Sequence, residues 1–372
     1  MERSATPRLV ALDWMRGFVM VLMAIDHASV TFNAGRVADD SAGMYTAGAA
    51  LPLLQFLTRF VTHLCAPTFV VLAGAAAALG VERRRALGGE RAIDRDLLVR
   101  GLLLIVLDVV WMTTLSGLTV LMQVLFALGA GMLLMIPLRR LPTPAMLAFG
   151  VGWFVLGELV TGWFWHPPAA PEPAWTAAVL AVYLDERIAI VYPAIPWAAM
   201  MAIGWALGRW LRREHAERRS FPIAKLAALG VALLAVFGLV RGVNGYGNLF
   251  LLREDGSLAQ WLHVSKYPPS LAYAALELGL LALGLALCGW LEPRIGVRRD
   301  GPLLVFGQTA LFFYLLHFPL LGAAAMALGM FGGAGLPETY LAAAGVLAVL
   351  YPVCRWYRGV KQRRPTSWLR YI

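Results

Sequence analysis

The chain has 372 residues, of which 60% are hydrophobic and only 15% are charged, and its mean hydropathy is +0.69. These values exclude a water-soluble globular protein and indicate an integral membrane protein. The net charge of +10 comes mainly from short basic runs between apolar segments, as expected of cytoplasmic loops, so nucleic acid is not an expected partner.

Apolar segments close to the ~20 residues that a membrane helix needs recur along the whole sequence. They are rich in Leu and Ala and contain Gly and Pro, which favours helices over the alternating strands of a barrel. In chain order they cover residues 12–31, 53–80, 97–115, 118–137, 144–165, 190–210, 222–241, 269–291, 302–328 and 338–357. We therefore predict an all-α polytopic membrane bundle of about ten transmembrane helices, forming a single domain over residues 1–372.

The distribution of Lys and Arg predicts the orientation of this bundle. The first segment continues into Asp26 and His27 without a convincing cleavage site, so we expect it to be retained as a membrane helix. With a cytoplasmic N-terminus, 26 of the 32 Lys and Arg residues fall on the inner side. This predicts that both termini are cytoplasmic. The cations outside the pattern are Arg36, Arg59, Arg187, Arg241, Arg253 and Lys266.

Three histidines lie inside membrane segments, where an imidazole is costly and is expected to face the protein interior or a wet cavity. The first, His27, ends a polar stripe on one face of the first helix. The stripe also contains Asp13, Arg16, Met20 and Met23. It predicts either a passage with a charged cytoplasmic mouth, or an Asp13–Arg16 pair with methionines packed on a neighbouring helix.

His63 and Arg59 share a face of the second helix, since they are four residues apart. An arginine inside a membrane span requires a partner. Pro67 cannot donate to the carbonyl of His63, which opens the backbone at the level of the imidazole. Together, Arg59, His63 and Pro67 predict a reactive site on the second helix. The alternative is a proline kink beside an arginine whose side chain extends to the membrane–water interface.

His317 lies in the ninth segment, three residues after Tyr314. Pro319 frees the carbonyl of Leu315 in the same way. An aromatic and apolar surround favours a neutral imidazole that can act as a base near pH 7. A histidine that only bonds to another helix is the alternative.

Acidic partners for these imidazoles are expected from Asp108, Glu158 and Glu277, which reach comparable depths. No short-range ligand spacing of the H-x-x-x-H type occurs, and the three cysteines are unpatterned, so no metal site and no disulfide framework are expected. We assign no role to the loop residues His166, His215 and His263.

Five segments in the same order resemble a known family. They are LDWMRGFVMVLMAIDH, THLCAPTFVVLAG, YPAIPWAAMMAIGWALG, SKYPPSLAY and FGQTALFFYLLHFPLL. Together they resemble bacterial membrane proteins grouped with the catalytic domain of heparan-alpha-glucosaminide N-acetyltransferase, in the wider transmembrane acyltransferase superfamily. The resemblance covers nearly the whole chain and implies a multi-pass protein of the bacterial inner membrane.

The resemblance implies transfer of an acetyl group from cytoplasmic acetyl-CoA to a carbohydrate or other small polar acceptor on the outer side. In that reading the donor enters beside Asp13 and Arg16, and cytoplasmic arginines contact its phosphates. Those arginines are Arg83, Arg84 and Arg85. The expected partners are acetyl-CoA, the acceptor and the lipid bilayer, and the sequence leaves a homo-oligomer open.

The catalytic residues implied by this reading are His27, His63 and His317, with Arg59 stabilising the developing oxyanion. The eukaryotic enzymes have a catalytic histidine in the outer loop after the first helix, whereas residues 28–62 contain none here. Either His27 or His63 is expected to replace it, as a base or as an acetyl carrier. The competing interpretation is a transporter or permease, in which intramembrane histidines and broken helices are equally common.

Overall fold

The computed structural model describes residues 9–85, 90–172, 175–218, 220–364 and 367–371 of the chain. These residues form a bundle of helices and one small sheet. The helices are α1 (Val10–Phe32), α2 (Leu53–Thr62), α3 (Cys65–Arg85), α4 (Glu90–Val106), α5 (Thr113–Ser116), α6 (Val124–Leu138), α7 (Thr143–Phe164), α8 (Trp175–Val179), α9 (Ala194–Arg218), α10 (Ile223–Val243), α11 (Leu258–Leu262), α12 (Leu271–Ile295), α13 (Pro302–Gln308), α14 (Ala310–Ala327) and α15 (Leu336–Arg363). A π-helical segment (Leu107–Met112) joins α4 to α5, and a 3₁₀ turn (Trp368–Tyr371) follows α15.

The all-α membrane fold predicted from the sequence is confirmed, and the count of about ten spans is approximate. Within the described residues, eight helical segments are long and apolar enough to cross a membrane. They are Val10–Phe32, Leu53–Val81, Ala92–Ser116, Thr143–Phe164, Ile223–Val243, Leu271–Ile295, Ala310–Ala327 and Leu336–Arg363. The other two predicted spans correspond to α6, which is only 15 residues long, and to α9, which falls outside this set.

The predicted span 118–137 is shorter than expected because its first part is a strand. Strand β1 (Val120–Met122) pairs in parallel with β3 (Ile188–Ile190), and β2 (Tyr183–Leu184) pairs with β3 in the antiparallel sense. The helix therefore starts only at Val124. The β-branched and aliphatic residues of these strands fit a sheet as well as a helix, and partners more than 60 positions away decide between the two.

Two of the predicted spans are each divided into two helices in the structure. The span 53–80 is divided between Thr62 and Cys65, because Pro67 cannot donate to the carbonyl of His63. The span 302–328 is divided at Thr309, whose φ of −123° departs from helical geometry. By contrast, α14 continues through Pro319.

The described chain groups into two compact units. The first unit contains the described parts of residues 1–36, 222–229 and 281–372, and the second contains those of 37–221 and 230–280. The sequence-based prediction of a single domain over residues 1–372 stays a prediction.

In the first unit, α1 packs directly on the backbone of α13. A Cβ at Gly17 would lie 1.8 Å from the carbonyl oxygen of Leu303, and one at Gly307 would lie 1.9 Å from that of Asp13. Both distances are far below a normal contact, so only glycine permits this approach. The contact fixes the polar stripe of α1 against the start of the segment that carries His317.

In the second unit, α3 and α9 approach each other in the same way. A Cβ at Gly204 would lie 2.1 Å from the carbonyl oxygen of Val71, and one at Gly74 would lie 2.3 Å from that of Met201. Two indoles of α9, Trp197 and Trp205, are completely buried beside this contact. The outer surfaces of the helices are apolar, as a lipid environment requires.

Candidate active site

The first unit brings two of the predicted histidines together. Nδ1 of His27 on α1 lies 2.6 Å from Nε2 of His317 on α14, across 290 positions of sequence. The two ring planes are inclined by only 15°, which is compatible with a hydrogen bond in the plane of both rings. His317 is fully buried, whereas His27 is partly exposed. The pair therefore joins an accessible imidazole to an inaccessible one.

The hydrogen bonds of His317 determine which ring nitrogens carry protons. Its Nδ1 lies 2.8 Å from the carbonyl oxygen of Tyr314 and 3.1 Å from that of Phe313. A carbonyl can only accept, so this Nδ1 carries the hydrogen and donates. In a neutral His317 the Nε2 must then accept, and the donor is the Nδ1–H of His27. This leaves the basic lone pair of His27 on its Nε2.

Aromatic rings contact His27, and an ion pair adjoins it in the sequence. The ring of Phe318 contacts His27 edge-on at a centroid distance of 5.3 Å, and Tyr314 does so at 6.2 Å. The residue before His27, Asp26, forms an ion pair of 2.8 Å with Arg36, which also donates to the carbonyl oxygen of Asp26. A carboxylate is thus held one residue from the accessible imidazole.

The rest of the α1 stripe matches the structural alternative that the sequence left open. Asp13 and Arg16 form an ion pair at 3.1 Å, and Arg16 also donates to the carbonyl oxygen of Gly307 on α13. Met20 and Met23 are buried in the core of the first unit. A role of Asp13 and Arg16 in binding the donor stays a prediction, and the side chains of Arg83, Arg84 and Arg85 lie outside the described part of the structure.

The second unit holds the other two predicted site residues in a separate buried cluster. The carboxylate of Asp40 accepts from Nε of Arg59 at 2.7 Å and from Nε2 of His63 at 2.9 Å. A second nitrogen of Arg59 also contacts Asp40 and lies 3.3 Å from the hydroxyl of Tyr267. Asp40, Arg59 and His63 are 2%, 6% and 0% exposed.

The partners of Asp40 favour its charged form despite its burial. Burial by itself would raise the pKa of the Asp40 carboxyl, but Arg59 and His63 outweigh it and hold that pKa well below its usual value. Because Nε2 of His63 donates to Asp40, the other ring nitrogen, Nδ1, carries the lone pair. That buried nitrogen has no hydrogen-bond partner among the residues that the structure describes.

Tyrosines and a buried acid complete the cluster. The hydroxyl of Tyr273 donates at 3.1 Å to the carbonyl of His63. This is the carbonyl that Pro67 leaves without a helical donor, so the opening predicted from the sequence is filled by a side chain. The hydroxyls of Tyr192 and Tyr267, each of which is followed by a proline, lie 3.4 Å apart. Glu277 is 1% exposed, and no described group bonds to either of its carboxyl oxygens.

Sequence reasoning missed Asp40, the acid that His63 and Arg59 share. Two of the three acids expected beside the imidazoles have other roles: Asp108 accepts from the amides of residues 123 and 126 and caps α6, and Glu158 accepts from the amides of residues 247 and 249. The sequence did contain one indication of buried acids, namely the six Lys and Arg residues that do not fall on the predicted inner side. Of these, Arg36 and Arg59 each pair with an acid, and Arg241 and Lys266 are buried.

The structure does not describe a metal centre. No group of three or more His, Cys, Asp or Glu side chains converges on a metal position within the part of the chain that it covers. The imidazoles and carboxylates of the two clusters can perform proton transfer and nucleophilic attack.

Comparison with known proteins identifies the family. The sequence profile described as heparan-alpha-glucosaminide N-acetyltransferase, catalytic, matches residues 8–239, which include His27, Arg59 and His63. His317 lies beyond the matched region. No curated protein sequence matches the chain at a significant level. Because the profile covers more than half of the chain, this multi-pass membrane protein belongs to the heparan-alpha-glucosaminide N-acetyltransferase catalytic-domain family.

Proposed function

We propose that this protein transfers an acetyl group from cytoplasmic acetyl-CoA to an amine or hydroxyl of a carbohydrate-type acceptor on the outer side of a bacterial inner membrane. The family membership supports acetyl transfer as the reaction class. The observation that carries the mechanism is the hydrogen bond between His27 and His317. It supplies a base of defined tautomer inside a membrane helix.

His27 is the general base of the proposed reaction. Its Nε2 takes a proton from the acceptor as the acceptor nitrogen or oxygen attacks the thioester carbonyl carbon. The carbon–sulfur bond then breaks, and the Nε2–H returns its proton to the departing CoA sulfur. No net proton remains on the enzyme, so His27 is ready for the next cycle.

His317 is a positioning residue in this proposal. While His27 is an imidazolium, its Nδ1–H makes a charge-assisted hydrogen bond to Nε2 of His317, which is stronger than the neutral bond in the resting state. The difference lowers the energy of the charged state, which resembles the transition state. Burial of His317 keeps its orientation fixed through the carbonyls of its own helix.

The same tautomer also fits a covalent route, in which Nε2 of His27 attacks the thioester and carries the acetyl group to the acceptor. The two routes differ in one observable. Incubation with acetyl-CoA without an acceptor leaves an acetyl group on His27 only in the covalent route. Mass spectrometry of the acid-quenched protein separates them.

Arg59 and His63 act in this proposal through Asp40 and not on the oxyanion. The guanidinium of Arg59 is already compensated by the carboxylate of Asp40, which reduces its attraction for a developing negative charge. We assign these residues to positioning the outer loop that carries Asp40. The donor contacts proposed for Asp13, Arg16 and the arginines at 83–85 remain part of the proposal.

Purified protein in nanodiscs tests the function directly. Acetyl transfer to a panel of amino sugars and sugars is measured with radiolabelled acetyl-CoA, for the wild type and for His27→Ala. The proposal requires transfer by the wild type and a loss of 10²-fold or more, the approximate value of a general base, in a folded variant. His166→Ala is the control, because His166 is exposed in a loop. Solute flux in proteoliposomes without any dependence on acetyl-CoA contradicts the proposal and supports a transporter.

A further inference from the structure

A basic groove of about 650 Å³ opens on the second unit, between the end of α6, the start of α7 and the last turns of α9. Four of the eight residues that line it are arginines, and none of these eight is acidic. The lining residues are Arg140, Leu141, Pro142, Thr143, Arg209, Arg212, Arg213 and Ala216. Its volume lies within the usual range of small-molecule sites. The proposed acetyl transfer uses none of these residues.

Arg209 builds the wall of the groove. Its guanidinium donates to the carbonyl oxygen of Leu141 at 2.9 Å and to that of Arg139 at 2.6 Å. It also lies over the ring of Trp205 at 5.9 Å. These contacts hold the loop after α6 against α9, so the shape of the groove is formed before any ligand arrives.

Two arginines of the groove, Arg140 and Arg213, form ion pairs in which the arginine side chain is exposed. Arg140 pairs with Asp94 at 2.9 Å and Arg213 pairs with Glu217 at 2.7 Å, with the arginine side chains 60% and 78% exposed. Exposed ion pairs contribute little to stability. A phosphate can therefore replace Glu217 beside Arg213 at small cost, and a guanidinium fork matches phosphate geometry in two hydrogen bonds.

An apolar row leads away from the groove along α7. Thr143, the first residue of α7, lines the groove, and every fourth residue from position 147 to position 159 is an exposed aliphatic side chain. The row consists of Leu147, Val151, Val155 and Leu159. It extends about 18 Å along the helix, at ~1.5 Å per residue. A ligand that binds both features needs an anionic head and an apolar tail.

We propose that this groove binds the phosphate of an anionic phospholipid, with the acyl chains of the lipid lying along the apolar row of α7. Basic pockets between membrane helices on the cytoplasmic side bind such headgroups, and the predicted orientation places both wall segments on that side. Free phosphate or a nucleotide shares the headgroup chemistry. Neither of them has an apolar tail that could lie along the apolar row.

Lipid binding by the detergent-purified full-length protein tests the proposal. Native mass spectrometry measures the apparent Kd for phosphatidylglycerol, for cardiolipin and for phosphatidylcholine, in the wild type and in the double variant Arg212→Gln/Arg213→Gln. We expect roughly 30-fold weaker binding of the anionic lipids by the variant, since each arginine at an anionic surface contributes about a fivefold factor. The matched control is Arg187→Gln/Arg298→Gln, which removes two exposed arginines elsewhere.

Competition identifies the source of the phosphate. Inorganic phosphate and CoA are added at increasing concentration to the protein loaded with phosphatidylglycerol. The proposal holds if neither displaces the lipid at millimolar concentration and the control double variant binds like the wild type. It is overturned if phosphatidylcholine binds as tightly, if both double variants lose the same affinity, or if CoA displaces the lipid, which would make the groove a nucleotide site.

Discussion

Replacing His317 by leucine tests whether His317 positions His27, the proposed general base. Nε2 of His317 accepts from His27 at 2.6 Å, and leucine removes this acceptor while leaving His27 in place. A charge-assisted bond to the imidazolium contributes about 1.5–3 kcal/mol, and the neutral bond in the resting enzyme about 0.5–1.5 kcal/mol. The transition state therefore loses roughly 1–1.5 kcal/mol more than the ground state, which lowers kcat about tenfold.

The assay compares kcat for acetyl transfer in the wild type, in His317→Leu and in His317→Gln. Glutamine offers one carbonyl oxygen to His27 and one amide to the carbonyls of Phe313 and Tyr314, so it should recover part of the loss. Thermal unfolding of each variant controls for stability, because His317 is fully buried.

Two results would refute the reasoning on His317. A folded leucine variant with the kcat of the wild type would show that the hydrogen bond contributes nothing to the reaction. A loss as large as that of His27→Ala in a folded variant would show that His317 does more than position His27. In either case His317 would not be a positioning residue for Nε2 of His27.

Three further predictions concern stability, measured as the free energy of unfolding in detergent. Asp40→Asn leaves the buried guanidinium of Arg59 uncompensated and should cost about 3–5 kcal/mol. Because the folded pKa of Asp40 is lowered, its stabilisation is complete above the unfolded value near 3.8 and decreases as the pH falls below it. Gly307→Ala places a Cβ 1.9 Å from a backbone oxygen of α1 and should cost about 1–3 kcal/mol or prevent folding. Tyr273→Phe removes the donor to the carbonyl at the α2–α3 break and should cost about 1–2 kcal/mol.

Matched variants separate these effects from general damage. Asp300→Asn weakens the ion pairs of an acid whose side chain is 48% exposed and should cost less than about 1 kcal/mol. Gly345→Ala lies in a helix with nothing within 4 Å of the new Cβ and should be neutral or stabilising by about 0.5–1 kcal/mol. Equal losses in Gly307→Ala and Gly345→Ala would contradict the close approach of α1 and α13. A stability gap between Asp40→Asn and wild type that stays constant from pH 6 to pH 3 would contradict a charged Asp40.

Local sequence determined where the helices lie and which of their residues are polar. Hydropathy over about 20 residues reports the cost of placing each segment in lipid, and this cost depends mainly on the segment itself. The break at His63 was also readable, because Pro67 acts on a carbonyl only four residues away. The strand at Val120–Met122 could not be predicted in this way, because its partner strand, Ile188–Ile190, lies far along the chain.

The partners of the histidines were decided by tertiary structure alone. The sequence placed His27 and His317 at similar depths, but only the packing of α1 against α13 and α14 brought Nδ1 of His27 to 2.6 Å from Nε2 of His317. It also gave no indication that Asp40, in a loop, would be the acid between Arg59 and His63. The depth of a side chain in the membrane depends on the hydropathy of the residues next to it in the sequence. A hydrogen bond between residues 290 positions apart depends on how the helices that carry them pack together.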